Sequence, residues 1–239
     1  MAVLFLAAGL RTPLLALLAL RRLRNLALVL VPYGAALGVV ALLGPALSEA
    51  DRIGLIAVAT APALLTAPAL AGAVGGRMDR AGALLVGSIG MWLALTLTRG
   101  AGAAGAAQGA MLPFLIGAGI TSAVPMLPEV VRTAVQRVGD VAFLVLAAIA
   151  LSGLGSVNAL NAIAALALFV SIAGTAAIVA RIGGIGLASA FAGAGSRDPA
   201  VATALTVALG GATAIPLYSG ILLLAVSAVL AVRNRRKAR

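Results

Sequence analysis

Apolar runs of near-bilayer length recur along this chain and are separated by short polar turns. Hydrophobic residues make up 63% of its 239 residues, charged residues make up 10%, and the mean hydropathy is +1.18. A helix needs about 20 apolar residues to cross the roughly 30 Å hydrocarbon layer of a bilayer. Because helices satisfy their backbone hydrogen bonds internally, the pattern predicts an all-α, polytopic membrane protein with about 8 to 9 transmembrane helices.

The residue types that are missing exclude several kinds of chemistry. The sequence has no cysteine and no histidine, which removes disulfides, thiol nucleophiles and imidazole ligands. It also offers no pair of membrane-embedded aspartates for intramembrane proteolysis. We therefore expect no catalytic residue, no metal site and no enzymatic activity.

The positive charges are concentrated in the loops of one side of the predicted membrane protein. The net charge is +11, but the arginines lie between apolar runs and at the C-terminus, so membrane lipid and not nucleic acid is the expected partner. Cytoplasmic loops of membrane proteins carry an excess of Lys and Arg. With alternating spans, most arginines fall on the side of the C-terminus. This predicts a multi-pass protein of the cell membrane whose C-terminus is cytoplasmic.

Residues 183–211 carry polar side chains where a simple spanning helix has none. Ser196, Arg197, Asp198 and Pro199 lie at the centre of this apolar stretch. A charge at the bilayer centre costs about 3 kcal/mol on insertion scales unless it faces protein or water. Asp198 is a good N-cap and Pro199 suits a first helical turn, so a broken helix is predicted, with its second half beginning at about Pro199. Arg197 and the positive helix end can bind an anionic group, or Asp198 can cap the helix and neutralise Arg197, and both interpretations can hold together.

A second interruption is predicted within residues 53–76. This stretch is long enough to cross the membrane, but it contains Pro62 and Pro68, with Thr60 and Thr66 near its centre. Prolines in a membrane helix are typical of the discontinuous helices that form transporter sites. A continuous span kinked at proline is the alternative.

The succession of ordinary, broken and ordinary spans occurs twice, and the second copy enters the membrane from the opposite side. This predicts an inverted repeat with two discontinuous crossing helices. We expect a single membrane domain over residues 1–239. Its parts are a partial helix plus interfacial segment (1–25), a first core repeat (26–98), panel helices (106–154), a second core repeat (155–232) and a basic cytoplasmic tail (233–239). Within these parts we expect a short polar loop at 45–52 and a glycine- and alanine-rich linker at 99–109. An amphipathic segment is predicted at 125–139 and a short span at 140–154.

Three segments carry a resemblance to a known family. They are AAGLRTPLLALLALRRLRN at 7–25, TAPALLTAPALAGAVGGRMDRAGALLVG at 60–87 and SRDPAVATALTVALGG at 196–211. With the order of elements, they resemble the bile acid:sodium symporter superfamily. The resemblance implies ten helices in two inverted repeats of five, with a core domain that moves against a panel domain. Residues 1–10 and 106–154 would be the panel, so we expect an N-terminally shortened member.

The resemblance also implies where sodium ligands would lie, and this chain departs from that pattern. The serine-asparagine pair of the first broken helix falls on Ala67 and Pro68. The glutamine-asparagine pair of the second falls near Arg197 and Asp198, and the preceding glutamate falls near Gly193. Sodium prefers several hard oxygen ligands. We therefore expect no cofactor and no classical two-sodium coupling, since only backbone carbonyls and a few hydroxyl groups remain for Na⁺.

These observations predict a secondary membrane transporter or facilitator for a small organic anion, working by alternating access. Two alternatives stay open: a proton-coupled carrier in which Asp198 titrates, and a non-transporting membrane scaffold or sensor. The predicted substrate-binding residues are those at the two breaks: Thr60, Thr66, Pro68, Ser196, Arg197 and Asp198.

Overall fold

The computed structural model describes residues 2–10, 22–97, 101–123 and 158–237, together with residues 130, 134 and 137. These ranges contain helices and no strand, which confirms the all-α prediction for the described part of the chain. The α-helices there are α1 (Ala2–Gly9), α2 (Leu23–Leu43), α3 (Glu49–Thr60), α4 (Ala67–Ala73), α5 (Met78–Leu97), α6 (Ala101–Ala123), α7 (Ala159–Ile182), α8 (Leu187–Gly193), α9 (Pro199–Ala208) and α10 (Ala214–Lys237).

Four of these helices are long and apolar enough to cross a membrane: α2, α5, α7 and α10. Large hydrophobic side chains lie exposed on their outer faces, for example Leu30, Val170 and Leu224. A soluble surface seldom exposes so much contiguous apolar area. The chain is therefore a membrane-embedded helical protein, as its composition predicts.

Both predicted helix interruptions are present. The stretch 53–76 consists of α3, a loop at 61–66, and α4, and the stretch 183–211 contains α8, a loop at 194–198, and α9. A proline stands in the first turn of each second half, Pro68 in α4 and Pro199 in α9. A proline there loses no helical hydrogen bond, because the first-turn N–H groups have no intrahelical acceptor.

Two predicted boundaries are wrong, and the predicted tail is partly helical. The polar loop at 45–52 already contains the start of α3, because Ser48 caps that helix by accepting the Asp51 N–H at 3.2 Å. The linker at 99–109 is helical from Ala101 onward, and the tail at 233–239 continues α10 as far as Lys237. Alanine, arginine and lysine all favour helix, which explains both extensions. Residues 12–21 of the interfacial segment, most of 125–139 and the predicted span 140–154 lie outside the described residues.

The helices pack around the two interruptions. Helix α2 packs along α7, α3 packs on α9 and α10, and α4 packs on α5 and α8. Buried side chains such as Leu55, Leu168 and Ile215 form one apolar cluster of this core. Helices α1 and α6 form a separate pair beside α5, with the backbones of Gly9 and Gly117 in close contact. The first half of each broken helix therefore packs against the second half of the other: α3 against α9, and α8 against α4.

The two ends of the described helices differ in charge. We call one the basic end, because eight arginines, all exposed except the half-buried Arg80, belong to helix termini that meet there: Arg22, Arg24, Arg77, Arg80, Arg181, Arg233, Arg235 and Arg236. Contacts between these termini include Arg24 Nη1 to Gly183 O at 3.4 Å and Asn234 Nδ2 to Ala73 O at 3.2 Å. We call the opposite end the acidic end, because it carries Glu49 and Asp51. There, Asn161 Nδ2 donates to Asp51 Oδ1 at 2.8 Å.

Candidate anion site at the helix breaks

The two breaks are joined by contacts in which backbone N–H groups are the donors. The N–H of Asp198 donates to the carbonyl of Pro62 at 2.9 Å. The N–H of Leu65 donates to Asp198 Oδ2 at 2.9 Å, and the N–H of Leu64 lies 3.5 Å from Ser196 Oγ. Unwound backbone in a membrane needs such partners, because no water is available in the hydrocarbon layer.

Asp198 joins the two breaks and begins α9. Its Oδ1 accepts the N–H groups of Ala200 and Val201, both at 3.0 Å, while Oδ2 accepts from Leu65. The predicted N-cap is confirmed. The amide donors at the start of α9 are thus already paired with a carboxylate of the chain itself, so the helix end does not provide the anion site that the sequence pattern predicts.

Arg197 is not neutralised by Asp198. In the described part of the chain, Arg77 and the exposed Asp79 form an ion pair at 2.7 Å, whereas Arg197 and Asp198 do not. The Arg197 guanidinium instead lies 4.0 Å from the centroid of the Tyr33 ring, a cation–π contact. Its Nη1 donates to the carbonyls of Ala194 and Ser196, both at 3.1 Å.

One edge of the Arg197 guanidinium has no partner. Within the residues that the structure describes, neither Nε nor Nη2 makes a hydrogen bond, although the side chain is only 7% exposed. A buried cation with unsatisfied donors is costly and is usually found where a ligand or ion pairs with it. Arg197 is therefore the strongest candidate for a binding residue here.

Tyr33 and Ser88 hold the first break and position Arg197. The Tyr33 hydroxyl lies 2.9 Å from the carbonyl of Ala61 and 3.0 Å from both the carbonyl and Oγ of Ser88. Ser88 Oγ accepts the N–H of Ala63 at 2.6 Å. Neither residue is among the site residues that the sequence predicts. A tyrosine within a long apolar helix was the available signal, since the chain has only two.

A small cavity lies beside Arg197. Its volume is about 10 Å³, close to the space that one water molecule needs. Ser219 Oγ on α10 is buried there and has no hydrogen-bond partner among the described residues. The described lining residues are Val58, Phe169, Ile172, Gly195, Arg197, Ser219 and Leu223. Of these, Phe169 is half-buried and the others are buried.

The other predicted site residues lie around the breaks but do not line this cavity. Thr60 is buried and its Oγ1 donates to the carbonyl of Ile56 at 2.8 Å, and Ser196 Oγ donates to the carbonyl of Ala192 at 2.7 Å. Thr66 is the half-buried residue before α4, and Pro68 is buried in the first turn of that helix. Substrate binding by these residues stays a prediction.

The fold and the site define a class: an all-helical, membrane-embedded protein with a buried cationic group where two interrupted helices meet. No family model matches the chain, and no curated protein sequence matches it significantly. The resemblance to the bile acid:sodium symporter superfamily stays a prediction.

Proposed function

We propose that this protein is a secondary transporter or facilitator for a small organic anion and that it works by alternating access. The observation that carries the proposal is the buried Arg197 guanidinium with two free donors beside two touching helix breaks. Placing a charged group at this depth has a free-energy cost that a purely structural helix avoids. An anion that binds Arg197 would offset that cost while it is bound.

The directions of the two broken helices support an inverted repeat, and with it alternating access. Helix α3 begins at the acidic end, whereas α8 begins beside Arg77 at the basic end, where Ser189 Oγ accepts the Arg77 N–H at 2.7 Å. The two broken helices therefore enter from opposite ends. With α3–α4 and α8–α9 each counted as one interrupted span, the proposal keeps 8 to 9 spans, an estimate that includes the predicted helix at 140–154.

Matching glycine pairs also support the repeat. Helix α4 is followed by Gly75 and Gly76, and α9 is followed by Gly210 and Gly211. The first glycine of each pair has a positive φ, +81° at Gly75 and +72° at Gly210. The second packs against the entering half-helix of the other repeat, Gly76 against Ser189 and Gly211 against Ile53. Such equivalence is expected if two inverted copies of one unit, 26–98 and 155–232, form the core.

The hydrogen bonds of Asp198 favour an anion carrier over a proton-coupled one. Its carboxylate accepts three amide N–H groups and fixes the geometry of both breaks. A group that must change protonation during each cycle would break these bonds each time. Both carboxylate oxygens of Asp198 already accept amide N–H groups, so neither is free to bind Na⁺. We therefore propose sodium-independent transport.

Uptake into proteoliposomes tests the proposal. The purified chain is reconstituted and offered a panel of organic anions, with and without a sodium gradient. We expect uptake that does not depend on sodium and that Arg197→Ala abolishes, because no other cation lines the described cavity. Arg52→Ala, which removes an exposed arginine at the acidic end, serves as the matched control and should transport normally.

Two results would contradict this function. Normal uptake by Arg197→Ala would remove Arg197 from the site. Absence of uptake for every anion, from wild-type protein shown to be folded, would favour the non-transporting scaffold or sensor.

A further inference from the structure

We infer that the free edge of Arg197, with Ser219, binds the carboxylate of a short monocarboxylate, whose entry widens the small cavity beside them. This inference rests on the proposed function, because it names the substrate class of the same site.

The free donors of Arg197 have the geometry of a carboxylate fork. Nη1 is used by the carbonyls of Ala194 and Ser196, so Nε and Nη2 remain, and these two nitrogens lie on one edge of the guanidinium. Two parallel N–H groups on one edge match the two oxygens of a carboxylate in a bidentate pair. A spherical halide ion offers one acceptor atom instead of two, so it matches this donor pair less well.

The fork is held in place before a ligand arrives. The Nη1 bonds fix one side of the guanidinium, and the ring of Tyr33 lies against its face at 4.0 Å. Tyr33 is in turn fixed by its hydroxyl contacts to Ala61 and Ser88. A preorganised donor pair loses less conformational entropy on binding than a mobile side chain does.

Ser219 provides a further donor from another element. The residue is 9% exposed and lines the same cavity as Arg197, and its buried Oγ has no partner among the described residues. Because Ser219 belongs to α10 and Arg197 to the break between α8 and α9, a carboxylate bound to both would connect these elements. A hydrogen bond from a hydroxyl to a charged acceptor is stronger than one to a neutral acceptor.

The walls of the cavity select for a single charge and a short chain. Apart from Arg197 and Ser219, the described lining is apolar, with Val58, Ile172 and Leu223 among it. A second carboxylate would be buried there without a partner, which is strongly unfavourable. The cavity volume of about 10 Å³ holds about one water molecule, so a bound carboxylate and its tail must displace Phe169, the half-buried side chain of the lining. A short tail requires the smallest displacement.

Thermal unfolding of the full chain in detergent tests the inference. The probes are formate, acetate, propionate and butyrate, compared with hexanoate, succinate, sulfate and chloride at equal ionic strength. We expect a saturable rise in Tm of about 5 °C or more at 100-fold excess over Kd for the short monocarboxylates. The other four anions should give no saturable rise.

Variants locate the binding to the fork. Arg197→Lys keeps the charge but loses the bidentate edge, and it should raise the Kd for acetate at least about tenfold. Ser219→Ala should raise it by about tenfold. Ser227→Ala removes another buried hydroxyl of α10 that has no described partner and does not line the cavity, so it should leave the Kd unchanged.

The outcomes separate this inference from the proposed function. Equal stabilisation by succinate or sulfate, by chloride, or by hexanoate would overturn the monocarboxylate assignment, and these comparisons need only wild-type protein. Acetate binding that depends on Arg197 and Ser219, without uptake into proteoliposomes, would support the inference while contradicting transport. Arg197-dependent uptake of larger or divalent anions alone would support transport and overturn the inference.

Discussion

Arg197 and Asp198 are adjacent in the chain, yet their charged groups have separate partners. The carboxylate of Asp198 faces backbone amides of both breaks, and the guanidinium of Arg197 faces Tyr33 and the carbonyls that precede it. The helix that starts at Pro199 determines this division, because an N-cap side chain must fold back onto the first turn. The neighbouring arginine is consequently left without an ion pair and retains two free donors for a ligand.

The structural role of Asp198 predicts a large loss of stability when its side chain is removed. Asp198→Ala leaves three buried amide donors without an acceptor, which we expect to lower the free energy of unfolding by more than about 2 kcal/mol. Asp198→Asn keeps one acceptor oxygen and should cost less. Thermal unfolding in detergent measures both variants.

Asp79→Asn is the matched control for Asp198. Asp79 pairs with Arg77 at an exposed position, with side-chain exposures of 67% and 69%, and such ion pairs contribute little to stability. An Asp198→Ala variant as stable as Asp79→Asn would show that Asp198 does not join the breaks as described.

At the scale of the helices, a close backbone contact holds α3 against the segment before α10. Gly54 lies in α3, and a Cβ added there would meet the carbonyl oxygen of Ala212 at 2.5 Å. Such an approach involves backbone on the partner side, so a side chain cannot relieve it. Small residues at helix contacts are the usual means by which membrane helices approach closely.

Gly54→Ala should therefore destabilise the protein even though alanine favours helix by about 1 kcal/mol over glycine. The control is Gly90→Ala in the middle of α5, where an added Cβ meets nothing within 4 Å. We expect Gly90→Ala to be neutral or stabilising and Gly54→Ala to lower the Tm. If both variants shifted the Tm upward, the contact between α3 and the start of α10 would be looser than described.

At the scale of the whole molecule, the separation of charge predicts orientation. The basic end carries eight described arginines and one acidic residue, Asp79. The acidic end carries Glu49, Asp51 and one arginine, Arg52. Positive residues remain in the cytoplasm during insertion. We therefore expect the basic end, and the C-terminus with it, to face the cytoplasm of the cell membrane.

Single cysteines measure this orientation directly, because the natural chain has none. In intact cells, a membrane-impermeant thiol reagent should label Arg52→Cys at the acidic end and should not label Arg235→Cys. After the cells are opened, both variants should react. Labelling of Arg235→Cys in intact cells would reverse the proposed topology.

The sequence alone predicts the local features of this protein, which are its apolar helices, the two interruptions and one helix cap. Long apolar runs predict membrane helices because hydrocarbon excludes unpaired backbone polar groups. The two interruptions and the N-cap at Asp198 follow from proline and capping preferences, which act within one helical turn.

Only the tertiary structure decided which groups meet. Tyr33, Ser88 and Ser219 are far from Arg197 in the chain, and their contacts depend on how α2, α5 and α10 pack around the breaks. The capping preference directs the Asp198 carboxylate onto the first turn of α9, but no local rule identifies the partners of Arg197. These contacts come from distant segments: the first break brings the Leu65 amide to Asp198, and α2 brings the Tyr33 ring to Arg197.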